Sequence, residues 1–119
     1  MTMNVFAGVA VSDYPRALTW FEAFFGAPAT FEAHETESVW TLSEHGHVYV
    51  VFDPEHAGHS KVTLFLDDLD DLDTFVSAAA GRGIDPDTAE TYDNGVRKTT
   101  FRDPDGNEVG LGGAPLEDA

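Results

Sequence analysis

The 119-residue chain predicts an α+β fold built from two tandem βαβββ modules, and three observations carry that prediction. Short runs with the alternation of strands and longer runs with helical spacing occur in the order strand, helix, strand, strand, strand, and the order then repeats. The polar loop Glu55-His56-Ala57-Gly58-His59-Ser60 stands between the copies. Near the end of the second copy, Asp103-Pro104-Asp105-Gly106-Asn107 has the chemistry of a tight hairpin. Proline presets φ there, Asp and Asn bond nearby backbone, and glycine tolerates positive φ.

The elements follow in order. Val5 to Val11 alternates branched apolar residues with others, so Val5, Val9 and Val11 share one face and Phe6, Gly8 and Ala10 the other. Asp13 caps the following helix and Pro15 sits in its first turn, where a missing N–H does no harm. Tyr14 to Phe25 is helical, with Leu18, Phe21 and Phe25 on one stripe, Ala17 and Phe24 beside it, and Gly26 as the stop. Thr30 to His34, Val39 to Ser43 and Val48 to Phe52 are strands, with Glu44-His45-Gly46-His47 as the last turn and Asp53-Pro54 as the end. In the second copy Lys61 to Leu66 is a strand, Asp68 a cap and Leu69 to Gly81 a helix with Leu72, Phe75, Val76 and Ala79 inward. Ala89 to Tyr92 and Arg97 to Phe101 flank the Asp93-Asn94-Gly95 turn, Glu108 to Leu111 closes, and Ala114 to Ala119 is expected to fray. The expected organisation is one domain over 1–119, with modules at 5–54 and 61–113.

Composition narrows the function classes. An apolar fraction of 42% and a length of one domain indicate a globular core. No apolar run approaches a membrane span, and no basic-then-apolar leader opens the chain, so a cytoplasmic location is expected. Zero cysteines exclude disulfides, thiolate catalysis and cysteine metal sites. With 22 acidic residues against 6 Lys and Arg, the net charge of −16 repels nucleic acid and anionic membranes. This acidity reads first as a soluble surface and second as attraction for a cationic ligand.

An offset of 55 pairs Val9 with Leu64, Val11 with Leu66 and Asp13 with Asp68, and an offset of 60 pairs the turn glycines Gly46 and Gly106. The doubled order, the Phe101-Arg102-Asp103-Pro104-Asp105-Gly106-Asn107 turn and the helix Leu18-Thr19-Trp20-Phe21…Phe25-Gly26 resemble the vicinal-oxygen-chelate superfamily. That superfamily holds glyoxalases, ring-cleaving dioxygenases and bleomycin-resistance proteins. The resemblance implies a curled mixed sheet with a concave cleft, and four strand positions that in many members carry metal ligands.

Carried over one at a time, those positions are Phe6, seven residues before the cap Asp13, and Lys61, seven before Asp68. Gly110, four after Gly106, and Val50, four after Gly46, complete the set. None is a useful donor for an open octahedral ion. No metal, no cofactor and no catalytic residue is therefore assigned. Alternation fills the cleft instead with Phe6, Trp40, Val50, Phe52, Lys61, Thr63, Phe65, Glu108 and Gly110. Lys61 and Glu108 form a candidate polar pair, and Lys61 reads either as a solvated strand-end lysine or as a cation for an anionic oxygen. The pairs His45/His47 and His56/His59 read as surface histidines in turns.

The resemblance then implies a metal-independent protein that sequesters a cationic or aromatic small molecule in a cleft shared by two chains of a homodimer. Trp20 and Phe24 are candidates for the dimer contact. Two alternatives stay open: a metal-dependent lyase, isomerase or dioxygenase-like enzyme with displaced ligands, and a structural or regulatory dimer whose aromatics fill the cleft.

Overall fold

The computed structural model describes residues 1–115, which places most of the expected tail, residues 116–119, outside the described residues. Two βαβββ modules make up the chain. The first runs β1 (Val5–Val11), α1 (Tyr14–Phe25), β2 (Phe31–His34), β3 (Glu37–Thr41) and β4 (Gly46–Phe52). The second runs β5 (Lys61–Leu66), α2 (Leu69–Gly81), β6 (Thr88–Thr91), β7 (Arg97–Arg102) and β8 (Glu108–Gly113). Each module forms a four-stranded mixed sheet, in the orders β1-β4-β3-β2 and β5-β8-β7-β6. The strand that opens a module pairs in parallel with the one that closes it, and the remaining pairs are antiparallel.

Both helices occupy the residues the pattern predicts, because their caps are local chemistry. The Asp13 carboxylate accepts from the Arg16 N–H at 3.1 Å, and that of Asp68 from the Asp71 N–H at 2.8 Å. Each satisfies an orphan donor of a first turn. Gly26 ends α1 in the left-handed region at φ 78°, donating its N–H to Glu22 O. Strand boundaries fit less well. The third strand lies at Glu37–Thr41, not Val39–Ser43, and β4 begins at Gly46, so His47 is a strand residue and not a turn residue.

Both helices pack into one core between the two sheets. Phe24 is fully buried, with ring centroids 5.1 Å from Phe75 of α2 and 5.0 Å from Phe101 of β7. A helix of the first module thus rests on the sheet of the second, and Phe24 is a core residue, which corrects its assignment to a dimer contact. Trp20 stacks on Phe24 at 5.1 Å and stays half-buried. The hairpin after β7 ties the modules together: Asn107, fully buried, donates through Nδ2 to Ala10 O of β1 at 2.8 Å and accepts from Ser60 N at 2.8 Å. Asp105 in the same turn accepts from the Ser12 N–H at 3.0 Å and from its hydroxyl. No helix among the described residues is long and apolar enough to cross a membrane.

Candidate functional site

In each sheet one face packs on the helices and the other is left open. Strand register decides which residues belong to the open face, since residues paired across two strands point the same way. In the first module Phe6 pairs with His47, Gly8 with Tyr49 and Ala10 with Val51. In the second, Lys61 pairs with Glu108, Thr63 with Gly110 and Phe65 with Gly112. Phe6 therefore corresponds to Lys61 and His47 to Glu108, an offset of 55 for the opening strands and 61 for the closing ones.

The expected offset of 60 rested on matching Gly46 to Gly106, and the backbone shows why it fails. Gly106 has φ 86°, whereas Gly46 is absent from the positive-φ glycines. Leu42 N donates to Gly46 O as Asp103 N donates to Asn107 O, so Gly46 takes the place of Asn107. A slip of one residue turns a strand's side chains over. Val50, with Val48, accordingly faces the helices and is fully buried, so it is not a cleft residue, and its place on the open face belongs to Tyr49. Phe52 shares the parity of Val50 and stands half-exposed at the end of β4, away from the open-face row. Trp40 pairs with Val48, is 3% exposed, packs against Phe21 and Phe25, and donates its Nε1–H to Ala27 O at 3.0 Å. It too belongs to the core.

The other expected residues lie on the open faces: Phe6 on the first, and Lys61, Thr63, Phe65, Glu108 and Gly110 on the second. Phe6 is 48% exposed and Phe65 62%, so these rings do not close off the faces within one chain. Phe6 stacks on His47 with centroids 4.3 Å apart, and the ring of Tyr49 lies over Gly8. His47 Nδ1 is 2.9 Å from the Thr41 hydroxyl and Nε2 3.2 Å from Asn4 Oδ1.

The second open face is charged. The carboxylate of Glu108 has Lys98 Nζ at 3.5 Å and Lys61 Nζ at 3.7 Å from one oxygen, and the Arg102 guanidinium at 3.5 Å from the other. The expected Lys61–Glu108 pair is present, inside a larger cluster. Lys98 and Arg102 are on this face because they pair with Gly112 and Glu108. Sequence reasoning missed both, along with His47 and Tyr49. Their alternation along β7 and β4 was legible, but which parity faces out depends on the register. An apolar groove of about 410 Å³ opens between β1 and β5, lined by Val5, Ala7, Leu42, Leu64, Leu66 and Phe75 among others.

The four positions that carry metal ligands in many vicinal-oxygen-chelate proteins are thus Phe6, Tyr49, Lys61 and Gly110. A hydrocarbon ring, a phenol, an ammonium and a bare Cα do not make a donor set for a divalent ion. Among the described residues, no three His, Asp or Glu side chains gather to form another.

The family model of the Glyoxalase/Bleomycin resistance protein/Dioxygenase superfamily matches residues 3–111. A glyoxalase/bleomycin resistance protein from Catenulispora acidiphila is 49% identical, with a TM-score of 0.88, covering 96% of this chain and 100% of that one. The bleomycin resistance determinant encoded on transposon Tn5 is 18% identical, with a TM-score of 0.74 over 97% and 100% of the two chains. A bleomycin-binding protein solved in complex with bleomycin has the same identity and TM-score over 94% and 98%. Curated proteins yield no match.

Proposed function

We propose that this chain, which belongs to the Glyoxalase/Bleomycin resistance protein/Dioxygenase superfamily, binds a small organic molecule without a metal, in a cleft that two copies build together. The observation that carries this reading is the chemistry of the open faces. Each has aromatic and polar side chains in ordered register that reach solvent wholly or in part, Phe6 with the half-buried His47 and Tyr49 on one and Lys61, Thr63 and Phe65 on the other. At the positions where relatives hold an ion there is no donor set. Exposed rings beside a few placed polar groups are the usual composition of a small-molecule site.

A bleomycin-binding protein of the same fold offers a precedent for drug binding by this architecture. The arrangement of the core supports the homodimer reading. Both helices and most of the inner faces of both sheets pack on one another, apart from the groove between β1 and β5, so each open face is a single wall facing solvent. A second copy supplies the opposing wall, a first-module face set against a second-module face, and removes Phe6 and Phe65 from water.

Two measurements on the purified protein test this. Metal analysis is expected to find no stoichiometric Zn, Ni, Mn or Fe, and thermal melting is expected to show no ion-specific shift. Sedimentation is expected to give twice the chain mass. A bound stoichiometric ion would instead put the metal-dependent enzyme in front, and a monomer at millimolar concentration would remove the shared cleft.

A further inference from the structure

We infer that the site takes an organic anion, a carboxylate on a planar apolar body, held at the Lys61, Lys98 and Glu108 end of the second open face. This rests on the small-molecule reading above and names its ligand class. The net charge of −16 points the other way, toward a cation, so the local arrangement has to decide.

The decision comes from how few cations the chain has and where they stand. Of its six Lys and Arg, Lys61, Lys98 and Arg102 converge on one carboxylate. The others are engaged elsewhere or off this face: Arg82 donates to Ala23 O and Phe24 O, Arg97 pairs with Asp73 at 2.7 Å, and Arg16 lies on α1. Two further acids stand on the β6 side of the cluster, beside Lys98 and Arg102. Asp87, just before β6, is 3.6 Å from Arg102, and Glu90 on β6 stands opposite Lys98. Lys61 is on β5, at the opposite edge of the sheet.

Glu108 is therefore no receptor for a cationic ligand. Both of its oxygens already face cations, and its side chain is only 16% exposed. The cations, by contrast, keep spare capacity. The three contacts are 3.5 to 3.7 Å, longer than a charge-assisted N–H···O bond of about 2.7–2.9 Å. Lys61 is 70% exposed, so its ammonium N–H groups point largely at water. Three cations and the three acids Glu108, Asp87 and Glu90 balance in number, but Asp87 and Glu90 stand on the β6 side, so Lys61 on the β5 edge shares only Glu108 and keeps its charge open to a ligand. Gly110 and Gly112 add no side chains of their own to this floor, which the stem of Lys98, the Thr63 hydroxyl and the ring of Phe65 cross. An incoming carboxylate meets Lys61 and Lys98 while its apolar body lies against Phe65.

The test uses three probes of one shape: naphthoate, naphthylmethylammonium and naphthylmethanol, titrated into the protein and followed by amide chemical shifts. Naphthoate is expected to shift residues of β5 and β8 and to bind about tenfold more tightly than either other probe, the size of one charge-assisted contact. Lys61→Gln is expected to remove most of that advantage while leaving naphthylmethanol affinity unchanged, and Arg16→Gln is expected to change neither. If the ammonium or the alcohol binds as tightly as naphthoate, or if Lys61→Gln leaves the ratio intact, the anion assignment is overturned and the small-molecule reading stands. If all three probes at millimolar concentration leave both open faces unshifted, the small-molecule reading fails together with the assignment.

Discussion

The Asn107 side-chain amide donates to the main-chain oxygen of Ala10 at 2.8 Å, a bond between residues 97 positions apart. Asn107 makes a second donation to Asp103 Oδ2 at 2.8 Å and accepts from Ser60 N at 2.8 Å, so one amide ties the closing hairpin, the strand β1 and the start of β5. Within the stretch that carries the family resemblance, Asp103, Asp105 and Asn107 are thus a clasp between the modules, while Arg102 turns to the second open face.

Asn107→Ala is expected to cost about 2–4 kcal/mol in urea unfolding, because Ala10 O and Ser60 N lose their buried partner. Asn107→Asp removes the donor and sets a carboxylate against Asp103, so at neutral pH it is expected to cost more than alanine. Equal stability of all three proteins would show that water replaces the amide.

The Asp103 carboxyl titrates above its ordinary value of 3.8, because burial penalises its charge more than the bonds from Asn107 and Asp105 favour it. The folded protein therefore holds this proton more tightly than the unfolded chain. As pH rises from 3.8 through the raised value, the unfolded chain releases the proton first, and this group's contribution to stability falls. Asp103→Asn does not titrate there, so the stability difference between natural protein and variant is expected to be largest in acid and to shrink with rising pH. Urea titrations across that range check the slope, and carbon NMR of the carboxyl checks the midpoint.

Trp40→Ala is expected to destabilise the fold by about 3–5 kcal/mol, the range for a buried aromatic replaced by alanine. Its indole fills the space under Phe21 and Phe25 and its Nε1–H satisfies Ala27 O. Phe52→Ala, at a half-exposed strand end, is expected to cost less than half as much in the same unfolding experiment. Neither change is expected to alter ligand affinity in the folded protein.

Gly110→Ala is expected to leave stability within about 1 kcal/mol and to disturb the second open face. A Cβ there meets Lys98 Cε at 2.9 Å and ordinary contacts otherwise, and the obstacle is the far end of a flexible side chain. Lys98 swings aside from Glu108, and the naphthoate preference is expected to drop. A loss of several kcal/mol would show that the lysine stem is locked in place.

By itself the sequence determined the doubled order, the helix ends and the family. These are local matters: the caps Asp13 and Asp68, the stop Gly26 and the Asp103–Asn107 turn act over a few residues and leave their pattern in the chain. It also determined the face of β1 that meets the core, since Val9 and Val11 are fully buried as their alternation requires. In β4 and β3 that signal was missing. Val48, Tyr49, Val50, Val51 and Phe52 are apolar or aromatic on both parities, so alternation could not say which side faces the helices. Only the pairing of Phe6 with His47 and of Thr41 with His47 decided it, and with it the burial of Trp40 and Val50 and the placing of His47 and Tyr49 on the open face. The Lys98–Glu108–Arg102 cluster has the same origin. Those residues lie on two strands joined by a turn, and the register set by the Asp103–Asn107 clasp brings them to one side of the sheet.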